Sequence, residues 1–412
     1  MNTSASLLVV ELAAAELGLD AAERSGFLGL QIVLLRLPKL VSSGLVGLLA
    51  FVSTSIGCSE IVSPGSITKN YSERNTDDSG SLTFEESSVG NDTQARALPT
   101  ATVTHVCREL YAGALGEREA DPSFAVLTHL LLLDGEQAQA VINGRKHRVL
   151  SILTDSTLLE EYFGVSSLIQ SRHGVAFLTK EIAGEYHRDQ ILAAFAQCSI
   201  PLNRSIRVQG ETFSVQDLLN DSLANSHLKQ EELAWTAVAY AQYLPPARSW
   251  SNKFGTTLTF DDVARVLLSS SLAEASCGGL HNIAAISQIM KSHQRHPILS
   301  AGVAGDAESY LKQCVAAAVQ AQFPDGSWNP SWIHEFEPDA PRHAADETLR
   351  SKLLVTGHLL EWLLKLPAAE RPPGDVLQKA SDYLAERLGV MTSEEITDQF
   401  CPVTHAILSL RR

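Results

Sequence analysis

The sequence predicts an all-α domain over residues 101–412, interrupted by one or two small β-hairpins. Apolar residues recur at intervals of three and four in many segments, as at Leu354, Leu359 and Trp362. Residues that favour a helix start, such as Ser214, precede several of these segments. Loops rich in Pro and Gly separate them. Together these patterns indicate a series of paired helices.

The predicted helices follow one another at short intervals along the domain. They cover residues 124–133, 156–163, 187–198, 215–226, 231–244, 260–269, 277–291, 307–322, 347–366, 375–388 and 401–410. One hairpin is expected around Asn143-Gly144, because this pair favours a type I′ turn. A second is expected near His173-Gly174, and short extended pieces flank Gln209-Gly210.

Composition and charge exclude several classes of protein. The 412 residues are 45% hydrophobic and 19% charged, as in ordinary globular proteins. A net charge of -15, with 32 Lys and Arg residues that form no strong cluster, argues against a nucleic-acid partner. The six cysteines are widely spread without a Cys-x-x-Cys pair, which excludes a zinc ribbon and a small disulfide scaffold.

The N-terminal region divides into an extension, residues 1–39, and a hydrophobic segment, residues 40–58. Residues 40–57 carry no charge, and Arg36 and Lys39 stand just before them. This layout is typical of a signal peptide or a short membrane anchor with its basic side in the cytoplasm. Acidic residues in the extension are unusual for a signal peptide, so either the true start lies nearer Phe27 or the segment is an uncleaved anchor. A buried core helix is a further alternative.

The hydrophobic segment ends in Ser55-Ile56-Gly57-Cys58, which resembles a bacterial lipobox. That resemblance implies lipidation at Cys58, contact with a membrane through the N-terminal anchor and a location in the cell envelope, although Ser55 replaces the usual Leu. Residues 59–100 are dominated by Ser, Thr, Asn, Asp, Glu and Gly without apolar periodicity. Such a segment cannot bury enough surface to fold, so we expect a disordered linker.

One motif indicates how the helices are arranged. Gln322-Phe323-Pro324-Asp325-Gly326-Ser327-Trp328 follows a helix that contains Tyr310-Leu311. This resembles the QW repeat of squalene and other terpenoid cyclases, whose superfamily also contains the protein prenyltransferases and uncharacterised exported bacterial proteins. The resemblance implies an α/α toroid, a ring in which outer and inner helices alternate. The alternative is a glycine turn in which the Trp only fills a gap.

The sequence also departs from that superfamily. It has no Asp-x-Asp-Asp motif of the class II cyclases, and the zinc ligands of the prenyltransferases are not recognisable. Ser276-Cys277-Gly278-Gly279-Leu280-His281 resembles the thioester segment of complement-type toroids, but it lacks the Gln that forms the thioester. The resemblance therefore implies a fold without an activity to accompany it.

The alternation implied by the toroid places the helices at 187–198, 231–244, 277–291, 347–366 and 401–410 on the inside of the ring. Parallel inner helices would bring most of their reactive side chains toward one mouth. The candidate catalytic residues are Cys277, His281, His358, Glu361 and His405. The candidate binding residues are His187, Asp189, Glu232, Trp235 and Trp362.

Three kinds of chemistry fit these residues. His358 and Glu361, together with His281, Cys277 or His405, could bind a metal ion such as zinc. The His and Glu residues could instead act as general base and acid on a glycan or peptide of the envelope. Cys277 could also be a nucleophile activated by His281 and a helix N-terminus. Alternatively, these side chains only satisfy hydrogen bonds in the core.

Two functions of different classes follow from this. The first is an exported or membrane-tethered enzyme with its site in the ring cavity, and the second is a non-catalytic binding or scaffold module. Perturbed pKa values among residues that share one cavity favour the enzyme. A filled ring centre favours the binding module.

The N-terminal pattern makes a direct prediction. If residues 40–58 form a lipoprotein signal, the mature chain begins at Cys58 and carries a lipid on that residue. Mass spectrometry of the mature N-terminus measures this, and Cys58→Ser should abolish the modification. A cytoplasmic protein that retains residues 1–57 would contradict the prediction of export.

Overall fold

The computed structural model describes residues 123–179, 184–340 and 348–411, which are mostly helical. The predicted extension, anchor, lipidation site and linker lie outside these residues. Within them, no helix has both the length and the apolar character that a membrane span requires. The prediction is confirmed in its coarser form: the described residues are mostly α-helical, and each of their named strands belongs to a short two-stranded hairpin.

The helices agree closely with the predicted segments. In chain order they are α1 (Phe124–Asp134), α2 (Val149–Leu153), α3 (Ser156–Phe163), α4 (Gln190–Gln197), α5 (Val215–Asn225), α6 (Leu233–Tyr243), α7 (Phe260–Ser269), α8 (Leu280–Arg295), α9 (Ala301–Ala321), α10 (Leu349–Lys365), α11 (Gly374–Val390), α12 (Ser393–Asp398) and α13 (Phe400–Leu410). Side-chain caps explain several starts. Ser214 and Asp217 form a capping box on α5, and Thr259 and Asp262 form another on α7.

The described residues contain four hairpins rather than one or two, so the predicted number was wrong. The strand pairs are β1 (Gln139–Ile142) with β2 (Arg145–Arg148), β3 (Leu168–Ser171) with β4 (Gly174–Phe177), β5 (Ser205–Val208) with β6 (Glu211–Ser214), and β7 (Ser249–Ser251) with β8 (Thr257–Thr259). The fourth hairpin has no two-residue turn signal. Its loop is instead held by the Asn252 side chain, which accepts hydrogen bonds from the backbone N–H groups of Phe254 and Thr256.

Six helices pack in a closed circuit. Helix α4 packs on α6, α6 on α8, α8 on α10, α10 on α13, α13 on α1, and α1 on α4. The middle portions of α6 and α10 are buried on every side, over residues 233–241 and 355–363. A helix that is buried all round needs neighbours all round, which the circuit and the helices outside it provide.

The remaining long helices each contact one or two members of this circuit. Helix α5 contacts α4, α7 contacts α6 and α8, α9 contacts α8, and α11 contacts α10 and α13. Residues 322–328, which resemble the QW repeat, connect α9 to α11 through hydrogen bonds. The Gln322 amide donates hydrogen bonds to the backbone oxygens of Gly326 and Val376, at 3.1 and 2.9 Å. The fully buried Trp328 donates through Nε1 to Ala318 O at 2.7 Å.

Helix α10 crosses α13 very closely at Gly357. A Cβ atom at this position would lie 2.8 Å from the backbone nitrogen of Ala406 and 3.1 Å from the carbonyl carbon of His405. Only glycine therefore permits the observed separation of the two backbones. Helix α10 begins at Leu349, which places His358 in the middle of the helix.

We predict that Gly357→Ala destabilises the protein. The added methyl group must push α10 away from α13, and overpacking of this kind costs about 1–3 kcal/mol. Gly305→Ala in α9 is the matched control, because nothing lies within 4 Å of a Cβ there. That control should gain about 0.5–1 kcal/mol from helix propensity. Chemical denaturation measures both changes, and equal effects of the two substitutions would contradict the close approach.

Candidate metal centre

Cys277 lies in a tight turn immediately before α8. The residues Cys277, Gly278 and Gly279 all have positive φ, at 52°, 61° and 72°. Two glycines adopt this conformation easily, but for a cysteine it costs about 1 kcal/mol or more. A Cβ at Gly279 would also lie 2.4 Å from a methyl carbon of Leu272. The sequence suggested that Cys277 lies in the first turn of the helix. The turn instead folds Cys277 back beside His281, before α8 begins.

Glu232 holds His281 in position. Its backbone is also left-handed, with φ of 54°, at the start of α6. The ring nitrogen Nδ1 of His281 lies 3.1 Å from Glu232 Oε2, and Nδ1 of His187 lies 3.9 Å from Oε1 of the same carboxylate. The Trp235 ring packs against both imidazoles, with its centroid 4.6 Å from that of His281 and 6.3 Å from that of His187.

Glu361 holds His405 in position, as Glu232 holds His281. Its Oε2 lies 2.8 Å from Nδ1 of His405, and its Oε1 accepts a hydrogen bond from Lys365 at 2.5 Å. The rings of His358 and His405 are 3.6 Å apart between centroids. This contact joins α10 to α13 at the level of Gly357, one residue before His358. All three side chains, His358, Glu361 and His405, are at least 90% buried.

Two clusters of metal-ligating side chains result. The first, which we call the Cys277 cluster, consists of Cys277, His281 and His358. The second, the Cys401 cluster, consists of His129, Cys401 and His405. In each cluster the three potential ligand atoms lie within 4.8 Å of one another. The close contact between the rings of His358 and His405 places the two clusters side by side.

All four imidazoles of the clusters are anchored in the same way. His281 and His405 use Nδ1 toward carboxylates, whereas Nδ1 of His129 lies 2.6 Å from Ala125 O, and Nδ1 of His358 lies 2.8 Å from Leu354 O. An oxygen acceptor fixes the proton on Nδ1, and Nε2 is then left as the basic nitrogen. Histidines that bind metal ions in proteins are oriented by hydrogen bonds of this kind.

The charges around His281 favour a cation. Burial lowers the pKa of this imidazole, but hydrogen bonds and charges from Cys277 and Glu232 outweigh it and raise the pKa to about 10. Burial likewise raises the pKa of Glu232, while His281 and Ser276 bring it down to about 2. Because a proton is held so firmly at His281, the surroundings are suited to a positively charged species at this place.

His405 of the Cys401 cluster and its neighbours His358 and Glu361 have similarly perturbed pKa values. Burial lowers the pKa of His405, yet Cys401 and Glu361 raise it to about 9. Burial and the neighbouring His405 and His281 charges hold the pKa of His358 well below its usual range, so His358 is neutral. Glu361 stays ionised, because Lys365 and His405 lower its pKa against the effect of burial.

A cavity of about 290 Å³ opens beside the clusters. Every helix of the six-helix circuit contributes to its wall, and His281, His358, Glu361 and His405 line it together. The rings of Trp235 and Trp362 form much of its apolar surface, and Nε1 of Trp362 donates to Ser287 Oγ at 2.6 Å. A separate, wider groove of about 1030 Å³ reaches Glu232 and His187 from the other side.

The structure brings together nine of the ten sequence-predicted site residues. Asp189 is the exception, because its carboxylate accepts a hydrogen bond from Thr236 and lines a different cavity with Glu185. The sequence interpretation also omitted Cys401 and His129. Cys401 could have been found, since Cys-x-x-x-His occurs both at Cys277–His281 and at Cys401–His405. For His129 the sequence holds no comparable signal.

The chain was compared with known proteins in three ways. No family model, curated protein or solved structure matches it.

We predict that Glu232→Gln lowers the pKa of His281. The substitution keeps the shape of the acceptor but removes the negative charge that favours the imidazolium, so the pKa should fall by more than one unit. Titration of the ring nitrogens by NMR, in protein treated with a chelator, measures it. Glu274→Gln is the control, because it removes the same charge from an exposed side chain near the turn. An unchanged His281 pKa in Glu232→Gln would refute the pairing.

Proposed function

We propose that this protein is a metal-dependent enzyme whose catalytic ion, of the zinc type, is bound by Cys277, His281 and His358. The observation that carries the proposal is the environment of His358. Its Nε2 atom is buried and has no hydrogen-bond partner among the described residues. A buried polar atom left in this way costs about 1–3 kcal/mol, and a metal ion would remove that cost.

The donor set supports this choice of ion. One thiolate and two neutral imidazoles suit zinc and related soft divalent ions rather than calcium or magnesium. Three protein ligands are the number found at catalytic zinc sites, where the fourth position is left for water or substrate. Glu232 would orient His281, and the backbone oxygen of Leu354 would orient His358.

The reaction that this arrangement favours is metal-assisted hydrolysis of a small substrate. A bound ion would supply Lewis acidity toward a carbonyl or phosphoryl oxygen and lower the pKa of a nearby water molecule. The two Trp rings would hold an apolar part of the substrate in the cavity. His187, which is half-buried beside Glu232 at the wider groove, would accept a proton and pass it toward solvent.

The six-helix circuit with further helices outside it supports an α/α toroid as the overall architecture. In that arrangement the cavity occupies the middle of the ring. A cavity lined by ionisable groups favours the enzyme over a binding or scaffold module, for which a filled centre is expected. The proposed location in the cell envelope rests on the sequence of residues 40–58 alone.

The first test is metal content. Full-length protein purified without chelator should contain zinc, and Cys277→Ser should lose the ion from this cluster. Glu232→Gln should weaken zinc binding by about 10–100-fold, as is typical when a supporting carboxylate is removed. Cys198→Ser is the matched control, since Cys198 is a half-buried cysteine whose thiol donates to Leu131 O at 3.3 Å.

The second test is chemistry. Hydrolysis of activated esters and phosphoesters should disappear when the ion is removed by a chelator and return when zinc is added back. Cys277→Ser should lack this activity and Cys198→Ser should retain it. Zinc content that is the same in both variants, or hydrolysis that survives complete removal of the metal, would overturn the proposal.

A further inference from the structure

The Cys401 cluster has no role in the proposed function. Its three members come from the first and the last helix of the circuit in chain order. His129 lies on α1, and Cys401 and His405 lie on α13. His129 and His405 are at least 90% buried, and their ring centroids are 5.2 Å apart with the rings nearly perpendicular. Three strong ligand groups thus converge where the first described helix meets the last.

We propose that the Cys401 cluster is a second binding site for a soft divalent metal ion, which joins α1 to α13 and closes the helix circuit. The assignment does not require the Cys277 cluster to be catalytic. It rests on the convergence of the ligand atoms, on the orientation of the rings and on the position of the two helices.

The ring orientation is the most specific of these observations. His129 directs Nδ1 to the backbone oxygen of Ala125, and His405 directs Nδ1 to Glu361. In both rings Nε2 is left for the interior of the cluster, where the Cys401 sulfur lies within reach of both. Two imidazoles that are each held through Nδ1, with one thiol close to both, form the nitrogen and sulfur donor set that zinc, cobalt and iron prefer.

The two clusters also share one plan. In each, a Cys-x-x-x-His segment supplies a thiol and an imidazole, and a carboxylate from the preceding helix of the circuit holds that imidazole through Nδ1. The carboxylate is Glu232 for His281 and Glu361 for His405. The third ligand in each case is a histidine whose Nδ1 is bound to a backbone oxygen of its own helix. If one cluster binds an ion, the other offers the same donors with the same support.

A metal ion here would act on the fold as well as on the site. Helices α1 and α13 are far apart in the chain, and an ion that they share binds only when both are in place. Such an ion stabilises the folded state by a free energy that grows with the logarithm of its concentration relative to its dissociation constant. Arg411, whose Nη1 donates to Leu133 O at 2.6 Å, adds a second link between the same two helices.

The experiment counts metal ions on the full-length chain after loading with zinc or cobalt. The unaltered protein should hold about two ions, and Cys401→Ser should hold about one, as should His129→Ala. In the cobalt form, Cys401→Ser should lose about half of the thiolate-to-cobalt absorption. Cys198→Ser should keep the full amount of both. Thermal unfolding of Cys401→Ser should also respond less to added zinc than that of the unaltered chain.

The outcomes separate this inference from the proposed function. If the protein holds one ion that Cys401→Ser retains and Cys277→Ser loses, the second site is refuted while the enzyme proposal stands. If Cys277→Ser keeps all of its metal and Cys401→Ser loses an ion, the second site stands alone. If either single substitution removes all of the metal, one shared site replaces the two, and the inference is wrong.

Discussion

The contact between α10 and α13 at Gly357 is the constraint on which the arrangement of imidazoles depends. Because no side chain separates the two backbones there, Glu361 reaches His405 at 2.8 Å and the ring centroids of His358 and His405 lie 3.6 Å apart. A modest separation of these helices would break that hydrogen bond and draw the two clusters apart. Packing between the helices therefore determines the chemistry that their side chains can perform.

Burying so many ionisable groups is costly, and the structure shows how the cost is met. The carboxylates of Glu232 and Glu361 are each paired with an imidazole, and Glu361 has a lysine as well, because an isolated charge in the interior would be strongly unfavourable. The raised pKa values of His281 and His405 show that these places favour positive charge. Protons and metal ions would therefore compete for the same positions.

The sequence predicts helices better than it predicts the site. Capped helices such as α5 and α7, and the turn at Asn143-Gly144, depend on neighbouring residues and were predicted correctly. The fourth hairpin depends on a single Asn side chain within its loop and was missed. His129 is brought to the site only by the packing of α1 on α13. Asp189 follows His187 by only two residues, yet its carboxylate accepts a hydrogen bond from Thr236 of α6 and does not reach the clusters.

The cavity wall is shared among seven helices, the six of the circuit and α9. A substitution on one helix can therefore change one side of the cavity while the ligating residues on the others keep their places. Because wall residues and ligating residues can change separately, selection can alter which molecule fits the cavity while the ligating residues stay the same. Relatives of this chain would accordingly diverge most at wall positions such as Val238, Ala284 and Leu311, and least at the cysteines, histidines and their carboxylate partners.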